Sequence, residues 1–198
     1  MNYWITTDTH FGHSNLIQYS GRPENFEELI FERHAEVVKP DDVLIHLGDI
    51  CIGNDAEWHK RFYFEVSGWK WWLVKGNHDK KSNTWYMNHG WDFVCETMSL
   101  NIYGFNVLFS HKPQKDTGYD INIHGHFHNS DHRRHEPDLV AVKNNKQILV
   151  VLEHHYTPYK LRTICEQAQR DKVRDGLPQN QGVQGAIPAR GCIGGKNE

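Results

Sequence analysis

No stretch of this sequence approaches the roughly 20 consecutive apolar residues needed to cross a bilayer as a helix. Its opening, MNYWITTDTHFGH, has neither a charged leader nor a long apolar run. Those absences argue against a membrane-spanning or exported chain and lead us to expect a cytoplasmic one. Cysteine is scarce: Cys51, Cys95, Cys165 and Cys192 stand far apart with no CxxC pair, which fits reduced thiols and excludes a disulfide scaffold. A basic excess is also missing. The formal net charge of −3 argues against a surface coated for nucleic acid, although it leaves room for a local basic groove. What is present is aromatic bulk, with seven tryptophans, eight tyrosines and nine phenylalanines in 198 residues. That is enough chain for one domain with a real core.

Short apolar runs alternate with amphipathic stretches in the first half, which is the α/β pattern. YWITTD (3–8), DVLIHLGD (42–49) and WWLVKGNHD (71–79) each run apolar and end polar. Between the first two, Phe26, Leu29, Ile30 and Val37 share a helical face. Asn25 and Glu28 have capping-box spacing, and Pro40 marks the stop. Between the next two, Trp58, Phe62 and Val66 recur every four residues. The resulting β-α-β-α-β places polar clusters at strand carboxyl ends, where open α/β sheets bind ligands. From residue 93 the pattern turns to short strands, with hairpin signals at Tyr103-Gly104 and Asn144-Asn145 and little room for long helices. A second sheet stacked on the first is the economical arrangement. We expect a domain over 1–168 and a mobile tail over 169–198, which is rich in Gly, Gln, Asn and Pro.

Five strand ends share a vocabulary: Asp8 with His10, Gly48-Asp49, Gly76 to Asp79, Ser110-His111, and Gly125-His126-Phe127-His128. Singly, each has a plain explanation. Gly-Asp closes turns, and buried histidines are usually satisfied by hydrogen bonds. The last block lies in HGHFHNSDHRRH, which holds five of the fifteen histidines. Carboxylate, imidazole and amide oxygen without thiolate make a mixed N/O site suited to borderline divalent ions.

In this order, D-x-H, G-D, G-N-H-D, H and G-H-x-H resemble the calcineurin-like metallophosphoesterase superfamily. DTHFGHSN and VVLEHHYTPYKL are similar to a small bacterial and phage branch, and the resemblance covers about four-fifths of the chain. It implies a four-layer α/β/β/α sandwich of two mixed sheets flanked by helices. It implies two divalent ions, Mn²⁺ first, with Fe²⁺, Zn²⁺ or Ni²⁺ as alternatives. Asp8, His10, Asp49 and His128 would hold one, and Asp49 as a bridge would join Asn77, His111 and His126 on the other. Two ions about 3.5–4 Å apart clamp a phosphoryl group and share the attacking hydroxide.

His78 is then the catalytic side chain, protonating the leaving oxygen, or else a histidine that holds Asn77 in place. Asp79 orients it or caps a helix. His13 reaches the site or serves its loop. Arg22 and Lys112 touch substrate phosphate or are solvated. Trp71 and its neighbours are core or base-stacking platforms. His124, His154 and His155 read as structural, and His132, Arg133, Arg134 and His135 as loop residues. The expected partner is a phosphate ester, with phosphodiesters of nucleotide or nucleic-acid type favoured and no membrane involved. A phosphomonoesterase and a non-catalytic metal-binding scaffold of the same fold are the alternatives. The sequence carries no signal of oligomeric state.

Overall fold

Strands β1 (Tyr3–Thr6), β2 (Val43–His46), β3 (Lys70–Val74) and β4 (Phe93–Cys95) run parallel, in the spatial order β4-β3-β2-β1. The computed structural model describes residues 1–66, 70–115, 118–129 and 146–176, with side chains as far as 172. β2 is buried along its whole length and β3 is buried at Trp71, Leu73 and Val74, which is why both read as largely apolar runs. Leu44, Trp71 and Leu73 face a cluster formed with the helices, while Val43, Ile45 and Val74 face the second sheet. That sheet is β5 (Thr97–Ile102), β6 (Phe105–Ser110), β7 (Ile121–His124) and β8 (Gln147–Leu149), in sequence order. β5 is antiparallel to β6, and β6, β7 and β8 are mutually parallel. β9 (Tyr159–Lys160) closes the first sheet antiparallel to β1, so both sheets are mixed. The structure is an α/β arrangement of two mixed sheets with flanking helices.

The helices are α1 (Leu16–Tyr19), α2 (Phe26–Val37), α3 (Asp55–Glu65), α4 (Asn83–Met87) and α5 (Leu161–Gly176). The hairpin at Tyr103-Gly104 forms, with both residues at positive φ as a tight two-residue turn requires. Trp71 is buried against Phe62 and Trp91, so it is core and does not stack bases.

Three expectations fail. Asn25 makes no side-chain capping bond, and the Glu28 carboxylate, which would complete the box, pairs with Arg61 across the surface. The buried face of α2 is Phe26, Ile30, Phe31 and His34, leaving Leu29 and Val37 only half-buried. The third failure is α5, a long helix where little room for one was expected. Leu161, Ile164, Cys165 and Ala168 are correctly spaced to pack against the core cluster that the two sheets share, but polar neighbours obscure them in sequence. The hairpin expected at Asn144-Asn145, the loop residues 132–135 and the segment after 176 lie outside the described residues.

Three buried histidines stiffen the first sheet. His34 bonds the Ile30 carbonyl and Thr6 Oγ1, and His46 accepts from the Gly48 amide and bonds Thr9 Oγ1. His59 accepts from Trp91 Nε1. Burial pushes His34 down to about 4 and His46 and His59 down to about 3. Their folded values lie below the ordinary 6.5, so the unfolded chain takes up protons first. Stability is therefore complete above pH 6.5 and is lost as pH falls toward the folded values. The loss is on the order of 1.4 kcal/mol per pH unit for each histidine. Urea unfolding with chelator present should show a midpoint falling steadily from pH 6.5 to 5, before most carboxylates titrate. A flat profile would mean that solvent reaches these rings in the native state.

Candidate metal centre

The loops leaving β1 and β2 stay hydrogen-bonded to each other after the strands end. Asp8 N donates to the Gly48 carbonyl at 2.9 Å and His10 N to the Asp49 carbonyl at 3.0 Å. This pairing brings Asp8, His10 and Asp49 together at the carboxyl edge. β3 delivers Asn77 and His78 to the same edge, β6 delivers His111, and β7 delivers His126 and His128. Glycine is required where these ends converge: a Cβ on Gly76 would strike the Asp49 carboxylate, and one on Gly125 would strike Thr7 Oγ1 and Asp8. Gly125 therefore supplies room for close approach. The backbone is strained at the same place. Asp8, His10, Asp49, His126 and His128 all have φ between 47° and 76°, a region uncommon for residues with a side chain.

Two groups of ligand atoms result, Asp8 with His10 and His128, and Asp49 with His111 and His126, the atoms of each group lying within 4.8 Å of one another. Asp8 Oδ2 is occupied, accepting from Thr7 Oγ1 at 2.7 Å and the His126 amide at 2.8 Å. Asp8 Oδ1 is buried without a hydrogen-bond partner among the described residues, as is His10 Nε2. Asp8 Oδ1 lies 3.7 Å from both His10 Nε2 and His128 Nε2. That is too long for a hydrogen bond but suits ligands each about 2.1 Å from one ion.

In the second group, His111 Nδ1 bonds the Leu47 carbonyl at 2.8 Å, which turns Nε2 inward. There it meets Asn77 Oδ1 at 3.0 Å, His126 Nδ1 at 3.1 Å and Asp49 Oδ2 at 3.3 Å. Asp49 Oδ2 also lies 3.6 Å from His10 Nε2, which links the groups.

The electrostatics favour a cation. Burial alone would raise Asp8 and Asp49, yet the surrounding imidazoles hold both below the ordinary carboxylate range. Burial opposes charge on His111 as well, and the Asp49 and Asp8 carboxylates overcome it, holding His111 up at about 9. Burial and that neighbouring charge push His126 down to about 4. The donor set therefore demands positive charge and offers N and O ligands, so divalent ions fit it.

All seven expected ligands converge at this edge, and His78 stands outside both groups. Its side chain is 45% exposed, with Nε2 3.9 Å from Asp49 Oδ2. The ring of His13 lies beside His10, with centroids 5.6 Å apart. Arg22 must be corrected. It is buried, and its guanidinium is taken up by the Asp8 and Thr9 carbonyls and Glu153, so it has no free edge for a substrate phosphate. Asp79 neither orients His78 nor caps a helix. Its carboxylate accepts from the amides of Asp49 (2.8 Å), Gly76 (2.7 Å) and Ile50 (3.3 Å), clamping two strand ends together. Burial, aided by Asp49, pushes Asp79 up. Glu153 was missed in the sequence, although it lies within VVLEHHYTPYKL. A cavity of about 1050 Å³ between β8 and α5 contains none of the expected ligands.

The family model described as calcineurin-like phosphoesterase matches residues 1–186. The chain belongs to the calcineurin-like phosphoesterase family. An uncharacterized protein of Methanocaldococcus jannaschii, MJ1445, is 26% identical over 179 residues, covering 86% of this chain and 93% of that one. A crystal structure of the protein of unknown function AQ665 from Aquifex aeolicus superposes with a TM-score of 0.66 at 25% identity, covering 84% of this chain and 98% of that one. The nuclease MPE of Pseudomonas putida matches at 20% identity and a TM-score of 0.46, over 64% of this chain and 61% of that one. The calcineurin-like phosphoesterases are usually metal-dependent hydrolases, and the two Asp/His groups here are consistent with a dinuclear site. Among the described residues, no helix is long and apolar enough to cross a membrane.

Proposed function

We propose that this phosphoesterase hydrolyses a phosphate ester with two divalent ions, phosphodiesters of nucleotide or nucleic-acid type being the favoured substrates. The observation that carries this reading is the linkage of the two ligand groups through Asp49 and His10, 3.6 Å apart, with a half-exposed histidine at their rim. Asp8, His10, Asp49 and His128 would hold one ion, and Asp49, Asn77, His111 and His126 the other. When bound, such a pair supplies Lewis-acid activation of both water and the phosphate ester. Asn77 contributes a neutral oxygen, which limits the negative charge presented to an anionic substrate. His78 would hydrogen-bond a phosphate oxygen and give a proton to the departing alkoxide or phenoxide. His13 flanks His10 from the loop after β1 and bounds the substrate on that side. The diester preference rests on the site's makeup: among the described residues it is built from loops at strand ends and is open at the rim where His78 stands.

The test is turnover of bis-p-nitrophenyl phosphate against p-nitrophenyl phosphate, with Mn²⁺, Fe²⁺, Zn²⁺ or Ni²⁺ added to stripped protein. Turnover of the diester above the monoester, highest with Mn²⁺, is expected. A folded protein inactive with every ion would leave a metal-binding scaffold as the better account. Profiling across cyclic nucleotides and single-stranded nucleic acid then narrows the substrate.

A further inference from the structure

The Asp8–His10–His128 group is backed by a buried ion pair that the ligand set does not include. Glu153 Oε1 accepts from His128 Nδ1 at 2.7 Å and from Arg22 at 3.0 Å (Nε) and 2.6 Å (Nη2). The side chains of Arg22 and Glu153 are 0% and 3% exposed. Arg22 reaches on from Glu153 to the Asp8 carbonyl at 2.6 Å and the Thr9 carbonyl at 2.7 Å. Its guanidinium lies over the ring of Phe26, 5.1 Å from the centroid. Glu153 is itself fixed, since it sits in a short 3₁₀ turn (Leu152–His154) between the buried Val151 and Leu152 and the chain beyond.

We infer that Glu153, held by Arg22, is the positioning residue of this half of the centre, fixing the tautomer and aim of His128 and the backbone that carries Asp8 and His10. A neutral imidazole has one N–H. A carboxylate at Nδ1 holds the proton there and turns the Nε2 lone pair toward Asp8 Oδ1, raising its strength as a ligand. His10 has no hydrogen-bond partner on either ring nitrogen among the described residues, so His128 is the imidazole of this group whose aim is set by a partner. The other group uses a backbone carbonyl, that of Leu47, for the same purpose on His111. The two halves thus differ in kind: one is backed by a charge, the other by a dipole. Arg22 neutralises that charge. It also satisfies the carbonyls of Asp8 and Thr9, within a loop that Asp8 and His10 hold in left-handed conformation.

This inference depends on the dinuclear reading above, and the test separates the two. Truncating Glu153 alone would leave Arg22 buried with neither counter-charge nor acceptor, so the main variant is R22M/E153M, which removes both charges. E153Q keeps the acceptor and loses the charge. Calorimetric titration of the stripped full chain with Mn²⁺ should give two ions for the wild type. In R22M/E153M one of the two sites should weaken roughly ten- to hundredfold, the cost typical of losing a ligand's hydrogen-bond partner. Anomalous diffraction should place the weakened ion at Asp8, His10 and His128. In the metal-free protein, ¹⁵N shifts should show His128 protonated at Nδ1 in the wild type and a tautomer mixture in the variant.

Unchanged affinity at both sites, even with a lower melting temperature, would overturn the inference and leave the pair as a structural tie. So would a weakening located at Asp49, His111 and His126. A wild type that binds no second ion would overturn the dinuclear reading, and this inference with it. Should R22M/E153M fail to fold, E153Q decides by the same readouts, with a smaller loss expected at the same site.

Discussion

Asp49→Asn should leave the protein folded and almost free of metal, with turnover down by about a thousandfold or more, beyond the ten- to hundredfold typical of losing a ligand's outer partner. Asp49 Oδ2 faces His111 at 3.3 Å and His10 at 3.6 Å, one residue from each ligand group. Its Oδ1 accepts from the His78 amide at 2.8 Å. An asparagine of the same shape can preserve that amide bond through its own oxygen. Its NH₂ then points at the imidazoles, removing the negative charge and placing donors where an ion would sit. The fold should tolerate the change, because the amide of Asp49 is held by Asp79 and its carbonyl by His10. Metal analysis after dialysis, paired with circular dichroism, checks both halves of the expectation. Two ions retained in a folded Asp49→Asn protein would remove Asp49 from the role of bridge.

His78→Ala should do the reverse, keeping both ions and losing turnover. Its ring belongs to neither ligand group and is nearly half exposed, edge-on to His10 with centroids 5.4 Å apart. General acid catalysis is commonly worth about 10²–10⁴-fold. The loss should approach that range for diesters with alkoxide leaving groups and shrink toward none for p-nitrophenolate, which departs without a proton. The measurement is the dependence of kcat on leaving-group pKa, steeper in the variant than in the wild type. An equal loss for good and poor leaving groups would reduce His78 to an electrostatic contact. Absence of metal from the variant would make it a support for Asn77 instead.

Much of this site was legible because its information is local. Each proposed ligand follows an apolar strand within one to four residues, and parallel pairing within each sheet aligns those ends without further instruction. The Tyr103-Gly104 turn was legible for the same reason, being a two-residue device. What escaped notice acts across the chain. Glu153 and Arg22 stand 131 positions apart, so no spacing rule could join them, and Arg22 looked like an ordinary loop charge. Asp79 was visible but misassigned, because its partners are backbone amides on another strand's loop. The capping-box spacing at Asn25 and Glu28 was real, but the Glu28 carboxylate pairs with Arg61 of α3. Helix α5 was hidden by its composition: four apolar residues at the right intervals, surrounded by Arg, Gln, Glu and Asp.

The left-handed backbone at Asp8, His10, Asp49, His126 and His128 carries an implication for how this molecule would change over time. A residue with a side chain in that conformation costs roughly 1–2 kcal/mol, less for aspartate, and glycine there costs little. Relieved of any chemical duty, the backbone would relax with glycine most readily at His10, whose ring nitrogens have no hydrogen-bond partner among the described residues, whereas Asp8, Asp49 and His128 would also give up buried hydrogen bonds. A descendant that lost activity would therefore be expected to drift toward glycine at these loops first, while the core around Phe62 and Trp71 stayed as it is. Aspartate and histidine at all five concentrate at this one edge residues whose side chains run against the backbone they sit on.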